Sequence, residues 1–392
     1  MQRNKRFASL APKYIFSEIQ EREAQFRKNN PSTSLISLSV GDTTQPLAEC
    51  VVNNLQMTAK ALGDEASYVG YGPERGHAEI RHALSEKYYR KRVSPQDIFV
   101  SDGAGCDIGR LQILFGQDAI LAIQDPAYPA YHDTGAIFRG KESIIALPCI
   151  PENNFFPDLS KALDADVVFL CSPSNPTGYA FDKEQLKQLV DFARKHKKIL
   201  VVDAAYAAFT KKYSTIYEIE GAQEVAIEIG SFSKMAGFSG IRLGWTVVPN
   251  TLPHMLHQDW SRVVSTFFNG PSYLSQQAAI AVLQHPQSVE KQVAHYLENS
   301  QILKDALEHE DIEIYGGIDA PYLWLRIKGK SSWEAFDTLL HSCGIATMPG
   351  IGFGASGDGY IRISCLAKRF DIEEAARRLT YYLHGNCGIN KN

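Results

Sequence analysis

A chain of 392 residues, 44% hydrophobic and 21% charged, has the length and composition of a globular protein of two domains, or of one large domain with an appendage. Its net charge of −4 gives no reason to expect nucleic acid or an anionic membrane surface as a partner. No apolar run approaches the ~20 residues of a membrane span, and the basic start is followed by no apolar signal core. Seven cysteines, at 50, 106, 149, 171, 343, 365 and 387, form no C-x-x-C pair, so reduced thiols in a soluble cytoplasmic protein are the expectation.

Along the chain, apolar runs of strand length stand at Ile98–Ser101, Ala119–Ile123, Ser143–Leu147, Val167–Leu170, Ile199–Val202, Val225–Ile229 and Leu243–Val248. Most are apolar on both faces, as strands buried inside a sheet are. Segments of helical period, such as Ala104–Phe115 and Lys183–Lys197, lie between some of them. This predicts an α/β fold with a mostly parallel seven-stranded sheet covered by helices. From about Ser272 the texture changes. A long helical stretch, broken near Pro286, runs to Leu307. Short strands (Ile312–Tyr315, Tyr322–Ile327, Tyr360–Ser364) and helices (Ser332–Ser342, Ile372–His384) follow, and the glycine-rich Gly350–Gly359 stretch reads as a mobile loop. The expected division is an N-terminal arm (1–44) packing with the small domain, a large domain (45–271) and a small α+β domain (272–392).

The chemistry concentrates in Ser231-Phe-Ser233-Lys234-Met-Ala-Gly237-Phe-Ser-Gly240-Ile-Arg242. Hydroxyls and a guanidinium fork donate to phosphate oxygens, and a lysine among them is a candidate Schiff-base nucleophile. A phosphate and an aldehyde in one molecule describe pyridoxal phosphate. The plainer reading is a solvated lysine in a Gly/Ser loop. S-x-x-K also matches serine acylases, but their S-D-N and K-T-G boxes are missing in the order they need. Asp203, after Leu200-Val-Val, either caps the next helix or pairs with the pyridine nitrogen of such a cofactor, with Tyr206 donating to its phenolate oxygen. Cys171-Ser-Pro-Ser-Asn175-Pro-Thr-Gly178 is a rigid loop after a strand. Ser101-Asp-Gly-Ala104-Gly105 leads into an amphipathic helix, whose free amides attract phosphate; its glycine spacing is not a dinucleotide fingerprint. Tyr128 is a half-buried core aromatic or a ring that stacks on the pyridine. Arg362, on an alternating strand, is a rim charge or a bidentate clamp for a carboxylate. Gly329-Lys330-Ser331 ends like a Walker phosphate loop, but Trp324 stands where its first glycine belongs. No H-E-x-x-H or Cys/His cluster suggests a metal.

N-P-T-G after a strand, then an aspartate-bearing strand, then S-F-S-K, resembles the fold-type I aminotransferases. Tyr68-Val-Gly-Tyr71-Gly-Pro-Glu74, Ser101–Arg110, Ser231–Trp245 and Thr266-Phe-Phe-Asn269-Gly are similar to the LL-diaminopimelate aminotransferases among them, a likeness running from about Tyr14 to Arg362. The resemblance implies pyridoxal phosphate held by Lys234 as catalytic lysine, with Asp203 and Tyr206 beside it. It implies further cofactor contacts from Ala104, Gly105, Tyr128, Asn175, Ser231, Ser233, Arg242 and Asn269, and substrate contacts from Tyr14, Gly41, Tyr128, Asn175, Asn269 and Arg362. Tyr71 would reach the phosphate, and Glu74 the substrate's distal ammonium, from the other subunit of a homodimer with shared active sites. The implied reaction is reversible amino transfer from glutamate to tetrahydrodipicolinate, giving LL-diaminopimelate and 2-oxoglutarate. One departure stands out: Gly105 replaces the family's usual lysine, which removes a side-chain cation but leaves a backbone amide. Two alternatives remain beside this reading. One is a broad aromatic or alanine-type aminotransferase with the same cofactor parts. The other is a non-catalytic cofactor-binding regulator or assembly domain, although no DNA-binding segment adjoins.

Overall fold

The computed structural model describes residues 3–383; Cys387 and the end of the last expected helix, His384, lie outside them. Strand β1 is Ile36–Ser37. Strands β2 (Ile98–Ser101), β3 (Leu121–Asp125), β4 (Ile144–Pro148), β5 (Val167–Cys171), β6 (Ile199–Asp203), β7 (Ala226–Ser231) and β8 (Gly244–Val247) form a seven-stranded sheet in the order β2-β8-β7-β6-β5-β3-β4. β8 is antiparallel to both neighbours and every other pairing is parallel. β5 and β6 are buried along their whole length, which suits β-branched and apolar residues on both faces. Val168, Leu170, Leu200 and Val202 pack on one side, under helix Lys183–His196; Phe169, Val201 and Ile227 pack on the other, with Tyr131 and Trp260. That helix forms because Asp182 and Gln185 close a capping box and Leu186, Leu189, Val190 and Ala193 fall on one stripe. β3 begins two residues later than its apolar run, because Ala119 is spent on a turn to the Gly116 carbonyl.

The second sheet uses β9 (Ile312–Gly316), β10 (Tyr322–Ile327), β12 (Met348–Pro349) and β13 (Tyr360–Ser364), antiparallel in the order β12-β13-β10-β9; β11 (Ile345–Ala346) pairs in parallel with β1. The helical stretch divides at Pro286 into Tyr273–Gln284 and Pro286–Ala306, with proline at the first position of the second helix. Ser331 caps helix Ser332–Cys343 through a box with Glu334, which is the role of the G-K-S segment. Helix Ile15–Asn29 buries Ile19 and Phe26 against Trp324, Phe336 and Leu340. The turn before it lies elsewhere: Asn4 and Arg6 donate to the carbonyls of Ile137 and Phe138 on helix Pro129–Arg139.

The Gly350–Gly359 stretch departs from the expected mobile loop. It forms two short 3-10 turns, Gly350–Phe353 and Ala355–Gly357. Asp125, closing β3, holds them: its Oδ2 accepts from the Ser356 amide (3.1 Å) and hydroxyl (2.8 Å), while the Ala127 amide donates to the Phe353 carbonyl at 2.8 Å. Among the described residues no helix is long and apolar enough to cross a membrane.

Candidate active site

The register of the large sheet sets Cys171 beside Asp203, and Ser231 beside Gly244, at the carboxyl ends of β5, β6 and β7. A cleft of about 280 Å³ lies there, where ligands of open α/β sheets bind. Its walls include Gly41, Ala104, Gly105, Tyr128, Asn175, Asp203, Tyr206, Ser231, Ser233, Lys234, Arg242 and Arg362.

One end of the cleft is built for an anion. Ser231 caps the short helix Phe232–Met235, its hydroxyl accepting from the Ser233 amide at 3.1 Å. Helix Ala104–Leu114 starts alongside, its first amides lacking a carbonyl one turn earlier. Gly103 before it has φ 128°, and a Cβ there would stand 2.5 Å from Arg242 Nη2, so glycine is needed for both the turn and the guanidinium. Arg242 donates to the Ser239 carbonyl at 3.0 Å and meets no described carboxylate. Hydroxyls, a helix N-terminus and a guanidinium without an acidic partner suit a phosphate dianion.

Asp203 lies deeper, 6% exposed. It accepts from the Tyr131 hydroxyl at 2.6 Å and the Ala205 amide at 2.9 Å. Burial pushes its pKa up, and these two bonds pull it back. The Ala205 bond is the local contact that a helix cap would make, yet no lysine or arginine among the described residues faces the carboxylate. A buried carboxylate without a cation costs several kcal/mol. The site therefore suits a ligand that brings its own positive charge, as a pyridinium does.

Lys234 stands between, its ammonium donating to the Gly41 carbonyl. Burial pulls its pKa down to about 8; Asp42 opposes this, and Arg362 and Arg242 add to it. Tyr206 and Tyr322 share a hydrogen bond of 2.7 Å. Gly41 is glycine for a steric reason, since a Cβ there would lie 2.2 Å from the Tyr322 hydroxyl.

Arg362 is only 1% exposed, so it is no rim charge. Its Nη1 donates to Asn175 Oδ1 at 2.7 Å and its Nη2 to the Ser39 carbonyl at 2.5 Å, while its buried Nε has no partner among the described residues. The rings of Tyr322 and Phe353 flank it at 4.6 and 4.9 Å. A buried guanidinium held by neutral acceptors alone suits an incoming carboxylate.

Four expected residues lie outside these walls. Tyr14 is nearby, and its hydroxyl interacts electrostatically with that of Tyr128. Tyr71 is 93% exposed. Glu74 accepts from the Ser265 hydroxyl at 2.6 Å, and Gly270, next to Asn269, lies against the backbone of Pro73 and Glu74. Asn269, expected to touch cofactor and substrate, thus sits on an outer surface with the Tyr71–Glu74 loop and not in this chain's cleft.

The cleft residues fit pyridoxal phosphate: an anion site at one end, an unpaired acid at the other and a lysine between them. The family model for aminotransferase class I and II matches residues 33–379. The chain belongs to the class I and II aminotransferases. LL-diaminopimelate aminotransferase of Protochlamydia amoebophila is 46% identical over 98% of this chain and 98% of its own. That of Chlamydia pneumoniae is 43% identical over 97% of each chain. The solved structure of the L,L-diaminopimelate aminotransferase from Chlamydomonas reinhardtii is 43% identical, with a TM-score of 0.93 over 98% of this chain and 99% of that one.

This aminotransferase also places residues in its cleft that no motif signalled: Phe16, Val40, Tyr131 and Tyr322. Tyr131 was within reach of sequence reasoning, because it follows Tyr128 by three residues at the start of a proline-led helix and so shares its face. Tyr322 had no local signal. It arrives through the pairing of β10 with β13, which sets it opposite Ser364, two residues from Arg362.

Proposed function

We propose that this pyridoxal-phosphate aminotransferase interconverts tetrahydrodipicolinate and L-glutamate with LL-2,6-diaminopimelate and 2-oxoglutarate, a step toward lysine and peptidoglycan precursor. The observation that carries the reading is the 46% identity to an LL-diaminopimelate aminotransferase along nearly the full length of both chains. The cleft agrees with it in holding separate places for a phosphate and a carboxylate.

When bound, the cofactor supplies an aldehyde for amines and a ring that takes up the electron pair released at the substrate α-carbon. Ser231, Ser233, Arg242 and the amides of Ala104 and Gly105 would hold its phosphate. Asp203, oriented by Tyr131, would keep its ring nitrogen protonated, Tyr206 and Asn175 would donate to its phenolate oxygen, and Tyr128 would lie against the ring. Lys234 Nζ would serve as general base and acid, taking the proton from the α-carbon of the amino donor in one half-reaction and giving a proton to the α-carbon of the acceptor in the other. Arg362 would orient the α-carboxylate and Asn175 would support it, with Tyr14 and Gly41 closing the wall. The working unit in this reading is a homodimer in which Tyr71 and Glu74 enter the neighbouring cleft, and Asn269, beside them on the same surface, joins them. The exposed Tyr68, Tyr71 and Phe267 support an interface there. The six cysteines of the described residues form no disulfide, which supports a cytoplasmic setting.

A panel of amino donors tested against 2-oxoglutarate separates the readings. LL-diaminopimelate should be preferred over aromatic amino acids and alanine. A preference for those would replace this reading with a broad aromatic or alanine-type enzyme, and no turnover with any donor would favour a non-catalytic binder.

A further inference from the structure

We propose that Glu23, on the arm helix Ile15–Asn29 and outside the cleft, is a positioning residue that fixes the Ser39–Gly41 segment against both Arg362 and Lys234. The role rests on the reading of Arg362 as the carboxylate site. Glu23 is 7% exposed, on the same helix whose Ile19 and Phe26 fill an apolar cluster. A carboxylate there is costly unless it is bonded. Its Oε1 accepts from two hydroxyls, Ser37 Oγ at 2.7 Å and Ser39 Oγ at 2.9 Å, while Oε2 accepts from Arg27 at 3.4 Å.

Ser39 opens a segment that serves the chemistry through its backbone. The Ser39 carbonyl accepts from Arg362 Nη2 at 2.5 Å, and the Gly41 carbonyl accepts from Lys234 Nζ. Upstream the chain is held at Leu38, whose amide donates to the Ala346 carbonyl and whose carbonyl accepts from Ser364, both at 2.8 Å. Downstream the next backbone anchors are the amides of Thr44 and Gln45 on the Tyr296 hydroxyl at 2.9 Å. Between these points Glu23 accepts from the Ser39 hydroxyl, which also meets Ser37 Oγ at 2.9 Å, and Thr43 Oγ1 meets Ser239 Oγ at 3.1 Å, so both carbonyls lie on the stretch that Glu23 anchors at its upstream end. One stroke of slack would remove an acceptor from the arginine and an acceptor from the lysine together.

The test compares Glu23→Gln, which keeps an oxygen for both hydroxyls, with Glu23→Leu, which removes it. Ser39→Ala deletes the link but leaves the carbonyl, and is small enough to fold should the leucine variant not. Binding of glutarate, a dicarboxylate that cannot react, is measured by calorimetry on the holoenzyme beside KM and kcat for glutamate. Glu23→Leu and Ser39→Ala should each weaken glutarate and raise KM by about tenfold, with cofactor affinity unchanged and the double variant no worse than either single. Glu23→Gln should stay close to wild type. Wild-type glutarate binding in both Glu23→Leu and Ser39→Ala, with binding lost in Arg362→Gln, would overturn the role of Glu23 alone. Unchanged binding in Arg362→Gln would overturn the carboxylate reading, and the positioning role with it.

Discussion

Desolvation and three charges set the proton affinity of Lys234: burial, Arg362 and Arg242 oppose its ammonium, while Asp42 favours it. With its pKa pulled down to about 8, the amine becomes a nucleophile as the proton leaves. Uptake of pyridoxal phosphate by the cofactor-free protein should therefore quicken as pH rises through about 8 and level off above it, followed by absorbance after rapid mixing. Asp42→Asn removes the charge that favours the ammonium, so the inflection should move to lower pH; no movement would count against this account. Lys234→Ala should abolish the visible band of lysine-bound cofactor and cut turnover by about 10²–10⁴ or more. Gly105 makes a second test at this scale. No atom of the described residues lies within 4 Å of where its Cβ would stand, so a side chain fits. Gly105→Lys should place a cation in the cleft and sharpen the preference for diaminopimelate, with two carboxylates and two ammonium groups, over monocarboxylic donors. The gain expected is about 1–3 kcal/mol in relative kcat/KM. An unchanged or narrower ratio would refute it.

At the scale of elements, helix Ala104–Leu114 must aim its first amides at the anion, and Asp107 on its sheet face holds it there. Asp107 Oδ2 accepts from the Thr246 hydroxyl of β8 at 2.7 Å and Oδ1 from Arg110 at 3.1 Å. Burial raises its pKa to about 6. Asp107→Ala leaves Thr246 and Arg110 without this partner, a loss of about 1–3 kcal/mol, and should weaken cofactor binding as well as stability. The pH sign follows from the raised pKa. Between about 4 and 6 the folded chain keeps a proton that the unfolded chain has released, so this group's contribution to stability falls as pH rises through that window. The difference in melting temperature between wild type and Asp107→Asn should accordingly change across pH 4–6 and flatten above it; a constant difference would sink the assignment. This helix was legible in the sequence from its glycine start and apolar period. Asp107 was not, because a charged residue in an amphipathic segment normally lies in water. The 350–359 stretch misled for a related reason: glycine content shows that a segment can turn, whereas its fixing came from Asp125, more than two hundred residues away.

At the scale of the molecule, the proposed homodimer predicts complementation. Glu74→Ala and Lys234→Ala subunits, each inactive alone, should recover about a quarter of native activity after subunit exchange at equal amounts, since half the dimers would be hybrids with one intact site of two. Recovery near zero, with exchange demonstrated by mass, would place the whole site within one chain. The same scale explains what could be known in advance. Lys234, Ser231, Ser233 and Arg242 lie within twelve positions, Asn175 sits in the loop that follows a buried strand and Asp203 ends another, so their chemistry shows in local spacing and residue type. The apolar runs likewise specified a buried sheet with helices between its strands, because burial on both faces leaves a mark on every residue of a strand. Strand order, and the reversal of β8 within the sheet, left no such mark: periodicity records which faces are buried, not which neighbour covers them. Arg362 could be named as either clamp or rim, and only packing against Tyr322, Phe353, Asn175 and the Ser39 carbonyl decided that it is buried. Glu23, Tyr322 and the outward position of Asn269 depended wholly on the tertiary structure, since their partners are distant in the chain and a glutamate, tyrosine or asparagine taken alone is as suited to solvent as to a site.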